Sequence, residues 1–225
     1  MKRIITRSKM LSLKLQNNTF GFTKNGIKKI MSNLYFKANT DNILNAIEGL
    51  KQNFIVHSTD TLNSLSADAT NDRCIQKVID FKNRRGPFSI ILNSIEQIYK
   101  YTEINKEQLK IVKKLLPGPF TILLKSKDSN LSKLVTEDSD LVGIRIPNHK
   151  FTLNLIEKFK SPIITTSLNK TGEKPISNLK KVAKVYTDIL IFDDEQVRDS
   201  KGSTILDISK NEIKIVRYGD GEYNL

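Results

Sequence analysis

The sequence predicts an α/β layered domain built on a mixed, twisted sheet. Two observations lead there. Segments with apolar residues at helical spacing interleave with short apolar runs along the chain after residue 40. Several of those runs follow one another with no helix between them, so an all-parallel sheet does not fit.

The elements follow in order. Residues 41–50 place Ile43, Leu44, Ile47 and Leu50 on one helical face, with Asp41 available as a cap. Residues 54–56 read as a buried strand. Residues 58–70 are almost all small or hydroxylated and read as a loop. A second helix covers 72–82 with Ile75, Val78 and Ile79 inward, and a strand covers 88–92. Helices follow at 94–101 and 106–116, the latter stopped by Pro117-Gly118-Pro119. Strands at 120–124 and 141–146 precede a helix at 148–160 and a strand at 163–166. A short helix at 177–185 has Asn178 near its start, and strands close the pattern at 189–192, 204–208 and 213–216.

A chain of 225 residues can bury a sizeable core in one domain. No apolar run approaches the length of a membrane span, so no membrane partner is expected. The single cysteine, Cys74, excludes an internal disulfide and cysteine-rich zinc sites, and suits a reducing compartment. Two histidines, His57 and His149, leave little for a histidine metal centre. There is no P-loop, no dinucleotide fingerprint and no nucleophile elbow. The net charge is +13, and eight of those charges fall in residues 1–30, before the first acidic residue, Asp41. Residues 1–30 are therefore expected to be a basic extension, disordered or targeting, ahead of a domain at 31–225. The expected location is the cytoplasm, or the mitochondrion if 1–30 is a transit peptide.

Five segments could carry chemistry. Ile163-Ile164 stops at Thr165-Thr166-Ser167, then Asn169 and Gly172, so a buried strand opens into a polar turn. Such a turn suits an anionic or nucleotide ligand, and equally an ordinary surface turn. Lys82, Arg84 and Arg85 lie within four positions at a helix end. They form a polyphosphate clamp or a solvated basic terminus. Ser58-Thr59-Asp60-Thr61 follows a strand, where open α/β sheets bind ligands and where turns also form. Arg145 interrupts an apolar strand and needs a partner there, either an internal carboxylate or a ligand. Ser203 and Arg217 each stand at a strand edge.

Read in order, these segments resemble the threonylcarbamoyl-AMP synthases, or YrdC-like proteins. The resemblance runs through Thr59-Asp60-Thr61, Lys82-x-Arg84 and Leu116-Pro117-Gly118-Pro119-Phe120-Thr121. It continues through Gly143-Ile144-Arg145-Ile146-Pro147-x-His149 and Thr166-Ser167-x-Asn169-x-Thr171-Gly172. It ends with Gly202-Ser203-Thr204-Ile205-Leu206-Asp207 and Ile215-Val216-Arg217-Tyr218-Gly219. It covers roughly residues 40–221 and is closest to the short, single-domain type.

The resemblance implies a YrdC-like twisted mixed sheet flanked by helices around a large concave cavity. It implies a nucleotidyltransferase that joins L-threonine, bicarbonate and ATP into threonylcarbamoyl-AMP, releasing pyrophosphate. The product serves threonylcarbamoyladenosine modification at tRNA position 37. Lys82 and Arg84 are implied as catalytic residues that also bind ATP, together with Ser167, Asn169, Ser177 and Arg217. Thr59, Arg145, Thr165 and Ser203 are implied around L-threonine. Mg²⁺ is expected on the ATP phosphates, with no protein metal site. Expected partners are tRNA or double-stranded RNA and downstream tRNA threonylcarbamoyl transferase proteins. The family's usual Val-Tyr-Gly-Leu-Gly is here Leu62-Asn63-Ser64-Leu65-Ser66. The alternative is thus a catalytically weakened YrdC-like module that binds nucleotide or RNA. A carbamoyl-transfer relative is a third reading, but such proteins are longer and carry zinc-binding segments.

Overall fold

The computed structural model describes residues 34–137, 139–210 and 212–223. The expected basic extension at 1–30 lies outside the described residues. Among the described residues eleven strands form one mixed sheet. They are β1 (Tyr35–Lys37), β2 (Ile55–His57), β3 (Ser64–Asp68), β4 (Ser89–Ile91), β5 (Thr102–Glu103) and β6 (Phe120–Ser126). They continue with β7 (Leu141–Arg145), β8 (Ile163–Ser167), β9 (Leu190–Asp193), β10 (Thr204–Asp207) and β11 (Lys214–Arg217). Their spatial order is β1-β9-β2-β3-β8-β4-β7-β6-β10-β11, with β5 on the side against β6. The β2–β9, β4–β7 and β6–β10 pairs are parallel, whereas β2–β3, β3–β8, β4–β8 and β6–β7 are antiparallel.

Strand pleating divides the core. Val56, Ile90 and Ile164 point into one cluster, and their neighbours Ile55, Ile91 and Ile163 point into the other. Helices α1 (Ile43–Gln52) and α6 (Lys150–Phe159) cover the second cluster with Ala46, Leu50, Phe151 and Leu155. Helices α2 (Asp72–Lys82) and α4 (Lys106–Leu115) feed the larger cluster with Ile75, Val78 and Val112. Three shorter helices, α3 (Ile98–Tyr101), α5 (Lys133–Thr136) and α7 (Leu179–Val185), complete the described set.

The expected loop at 58–70 contains β3, which sits in mid-sheet between β2 and β8. Its serines are buried, but each finds a polar partner across the sheet. Ser66 Oγ pairs with His57 Nε2 at 2.9 Å, and Ser64 Oγ with Thr165 Oγ1 at 2.5 Å. Strand burial of small hydroxyl residues therefore costs little here. The expected helix at 94–101 shrinks to Ile98–Tyr101, because Gln97 turns its side chain back to the Asn93 N–H and β5 begins at Thr102. Asp41 does not cap α1. It lies inside a 3₁₀ turn, Thr40–Asn42, and Asn42 occupies the cap position without a side-chain bond. Asn178 does cap α7, accepting from the Lys181 N–H at 3.1 Å.

Candidate active site

The middle strands converge on one concavity of about 470 Å³. Register places its floor. Thr165 on β8 lies opposite Ser89 on β4, which lies opposite Gly143 on β7. Gly143 keeps that row open: a Cβ there would sit 2.7 Å from Ser89 Oγ and 3.2 Å from Thr121 Cγ2. Arg145, two residues on, emerges on the same strand face. A second row joins Thr121, Ile205 and Arg217 across β6, β10 and β11. Thr165, Ser89, Arg145, Thr121, Ile205 and Arg217 line the cavity, as do Ser64, Lys82, Arg84, Ser167, Asn169 and Ser203, and Gly143 lies between lining residues without lining it itself.

Helix α2 delivers the cations of one wall. Asn71 caps its start by accepting from the N–H groups of Arg73 and Cys74, and Asn83 ends it in the left-handed region at φ 51°. Lys82, in the last turn, is buried while Arg84 beyond the stop is exposed, its guanidinium 5.8 Å from the Phe88 ring. The Lys82 ammonium donates to the carbonyl oxygens of Ser167 (2.7 Å) and Asn169 (3.0 Å) and to Asn169 Oδ1 (3.1 Å). Burial pulls the Lys82 pKa down to about 8, and the Arg84 charge adds to that.

Arg145 occupies the hydroxyl-rich end. Its Nη2 donates to Asp60 Oδ1 at 2.9 Å and to Thr61 Oγ1 at 3.0 Å. Its Nε is buried with no hydrogen-bond partner among the described residues. An internal carboxylate thus balances the charge, yet the Nε donor is left for another acceptor. Burial lowers the Arg145 pKa and the Asp60 carboxylate opposes that shift. Beside it, Ser203 Oγ and Thr121 Oγ1 stand 2.7 Å apart, and Arg217 Nη2 donates to the Ser203 carbonyl at 2.6 Å and to Ser203 Oγ at 3.1 Å.

Eight of the ten expected residues line this cavity: Lys82, Arg84, Arg145, Thr165, Ser167, Asn169, Ser203 and Arg217. Thr59 does not. Its hydroxyl is fully buried in a turn, donating to the Leu62 carbonyl at 2.7 Å and accepting from the Thr61 N–H at 3.1 Å. Thr61, two positions on, takes the cavity place instead. Ser177 lines a neighbouring cavity of about 290 Å³ that shares the wall Thr61-Leu62-Asn63. Sequence reasoning missed Thr121 as a lining residue although the Pro-Gly-Pro-x-Thr stretch contained it. It also missed Ser64 and Ser89, whose only signal was a hydroxyl at a strand start.

The comparisons with known proteins agree with this architecture. The Sua5/YciO/YrdC family model, described as "Telomere recombination", matches residues 50–219. A Methanocaldococcus jannaschii protein, provisionally named threonylcarbamoyl-AMP synthase, is 33% identical over 76% of this chain and 82% of its own. The Homo sapiens threonylcarbamoyl-AMP synthase is 29% identical over 67% of this chain, which spans 57% of the human protein's length. The crystal structure of P. abyssi Sua5 complexed with L-threonine superposes with a TM-score of 0.74 at 25% identity, covering 83% of this chain and 56% of that one. The chain belongs to the Sua5/YciO/YrdC family.

Proposed function

We propose that this chain is an L-threonylcarbamoyladenylate synthase, making threonylcarbamoyl-AMP from L-threonine, bicarbonate and ATP for threonylcarbamoyladenosine at tRNA position 37. One observation carries the reading. Lys82, Arg84 and Arg217, separated widely in sequence, share a single cavity with Arg145 and the hydroxyls of Thr121, Thr165 and Ser203. The relatives' names and the threonine bound to P. abyssi Sua5 support it.

The chemistry suits such a cavity. The threonine amine combines with bicarbonate to give an N-carboxylate and water. A carboxylate oxygen then attacks the α-phosphorus, a new P–O bond forms, and the bond to pyrophosphate breaks. No protein nucleophile is needed. The requirement is two anions held together while charge develops, which fixed cations and oriented donors supply. Arg145, with its unpartnered Nε, suits the threonine carboxylate. Thr165 and Ser203, which line the same cavity, suit the threonine hydroxyl and amine. Arg84 and Arg217 suit the phosphates, and Ser167 and Asn169 the nucleotide. Mg²⁺ would travel with the phosphates, shielding their charge. Among the described residues no group of three or more His, Cys, Asp or Glu side chains is placed to hold it.

A cytoplasmic location and hand-over to tRNA threonylcarbamoyl transferase proteins follow from that activity. No helix among the described residues is long and apolar enough to cross a membrane. The test is direct. Purified protein with ATP, Mg²⁺ and bicarbonate is expected to release pyrophosphate only when L-threonine is added, and Arg84→Ala to lower that rate at least tenfold. Release indifferent to threonine overturns the reading and leaves a nucleotide-binding module.

A further inference from the structure

Lys82 is bound to a single turn from both of its ends. Its ammonium donates to Ser167 O, Asn169 O and Asn169 Oδ1 at 2.7, 3.0 and 3.1 Å. An ammonium has three N–H donors, and these oxygens take all three. The main-chain carbonyl of Lys82 meanwhile accepts from Thr171 N at 3.3 Å and from Thr171 Oγ1 at 3.1 Å. The residue is 3% exposed, so water does not share these bonds freely.

The turn itself is organised around the same groups. Asn169 Oδ1 also accepts from Ser167 Oγ at 2.6 Å, and Asn169 Nδ2 donates to the carbonyls of Lys170 (2.9 Å) and Glu173 (2.8 Å). Take the ammonium away and each of the three oxygens loses its cationic donor, although Ser167 O still accepts from the Asn169 N–H and Asn169 Oδ1 from the Ser167 hydroxyl. Losing three charge-assisted bonds from one cation weakens the hold on the turn, so the turn would rearrange. A phosphate oxygen could take an N–H from Lys82 only by displacing one of the three. Arg84, two residues further, has no side-chain hydrogen bond among the described residues and carries no such obligation.

We propose that Lys82 is a positioning residue: its ammonium pins the Ser167–Gly172 turn into the shape that receives the nucleotide, and it does not itself ligate phosphate. This rests on the synthase reading for its kinetic arm alone.

The experiment compares amide hydrogen exchange and pyrophosphate release in wild type, Lys82→Ala and Asn169→Ala. With no nucleotide present, Lys82→Ala is expected to speed exchange about tenfold or more at Leu168, Thr171, Glu173 and Ile176, whose N–H groups are bonded within or beside the turn. Added n-propylammonium, which replaces the lost side chain, is expected to restore protection and threonine-dependent release together. Asn169→Ala, which keeps the lysine and serves if Lys82→Ala fails to fold, is expected to speed the same amides. In the double variant the rate is expected to be no lower than in Lys82→Ala alone, since both act through one unit. Unchanged exchange in either folded single variant overturns the proposal, as do rate losses that multiply. If wild type shows no threonine-dependent release, the synthase reading fails, and the exchange arm, which uses no substrate, still decides the proposal.

Discussion

Asp60 grips Arg145 from the protein side of the cavity. Its Oδ1 accepts from Arg145 Nη2 at 2.9 Å while its Oδ2 accepts from the Asn148 N–H at 2.9 Å. The carboxylate thus ties the turn after β2 to both ends of the segment after β7. Arg145 and Asp60 side chains are each 9% exposed, so the pair is screened poorly by solvent.

Removing one partner of such a pair leaves a buried charge without compensation. Asp60→Ala is expected to lower unfolding free energy by about 3 kcal/mol and to raise the KM for threonine. Urea melts and threonine titrations read the two effects. Asp60→Asn keeps one acceptor oxygen, enough for Nη2 or for the Asn148 N–H and not for both, so it is expected to cost less than Asp60→Ala on both counts without restoring the pair. Equal losses in the two variants would show that the negative charge accounts for the whole effect and the retained acceptor for none of it.

Lys82 sets a basic limit on activity. Folding lowers its pKa from the ordinary lysine range to about 8, because burial disfavours the ammonium and Arg84 repels it. The neutral amine has two donors for three oxygens, so pyrophosphate release is expected to fall as pH rises through about 8. Stability has the opposite sign. The cost of burying the cation is fully present below pH 8 and is relieved as pH climbs toward the unfolded lysine value. A pH–rate profile falling near 8, absent in Lys82→Arg at the same pH, is the expected signature.

Much of this was legible in the chain. Apolar spacing located α2, and Lys82 at its end followed directly. Arg145 advertised itself by interrupting Val142, Gly143, Ile144 and Ile146. What stayed hidden depended on partners far along the chain. Ser64 and Ser66 read as loop because nothing local says that Thr165 and His57 will satisfy their hydroxyls. Thr59 and Thr61 are alike in sequence, and only the turn that consumes the Thr59 hydroxyl decides which faces the cavity. Ser177 fell in a second cavity because Asn63 donates to the carbonyls of Ile176 and Ser177, holding that segment across the shared wall.

His57 makes acid a threat to the fold. The ring is fully buried, with Nδ1 2.8 Å from the Ser58 carbonyl oxygen and Nε2 accepting from the Ser66 hydroxyl at 2.9 Å. Burial lowers its pKa to about 4. The unfolded chain takes up this proton near 6.5 while the folded chain resists until about 4, so stability falls as pH drops across that window. The integrated loss is about 3 kcal/mol. Urea unfolding between pH 4 and 7 is expected to show it, with a shallower slope in His57→Gln. Parallel slopes would assign the acid loss to other groups.

Gly143 offers the sharpest packing test. A methyl there would meet Ser89 Oγ at 2.7 Å, Thr121 Cγ2 at 3.2 Å and Leu123 Cδ2 at 3.3 Å, all on neighbouring strands. The glycine thus sits in a gap that three side chains already close, two of which, Ser89 and Thr121, line the cavity floor. Gly143→Ala overpacks that floor and is expected to cost about 1–3 kcal/mol in thermal or urea melts. It is also expected to lower activity, because Thr121 would be pushed against Ser203, whose Oγ it meets at 2.7 Å. The nearest obstacle is a single oxygen, so Gly143→Ala combined with Ser89→Ala is expected to regain most of the stability. Activity should return less fully, since the Thr121 contact remains at 3.2 Å. A double variant no more stable than Gly143→Ala would mean that the strand backbone, rather than the Ser89 hydroxyl, sets the need for glycine.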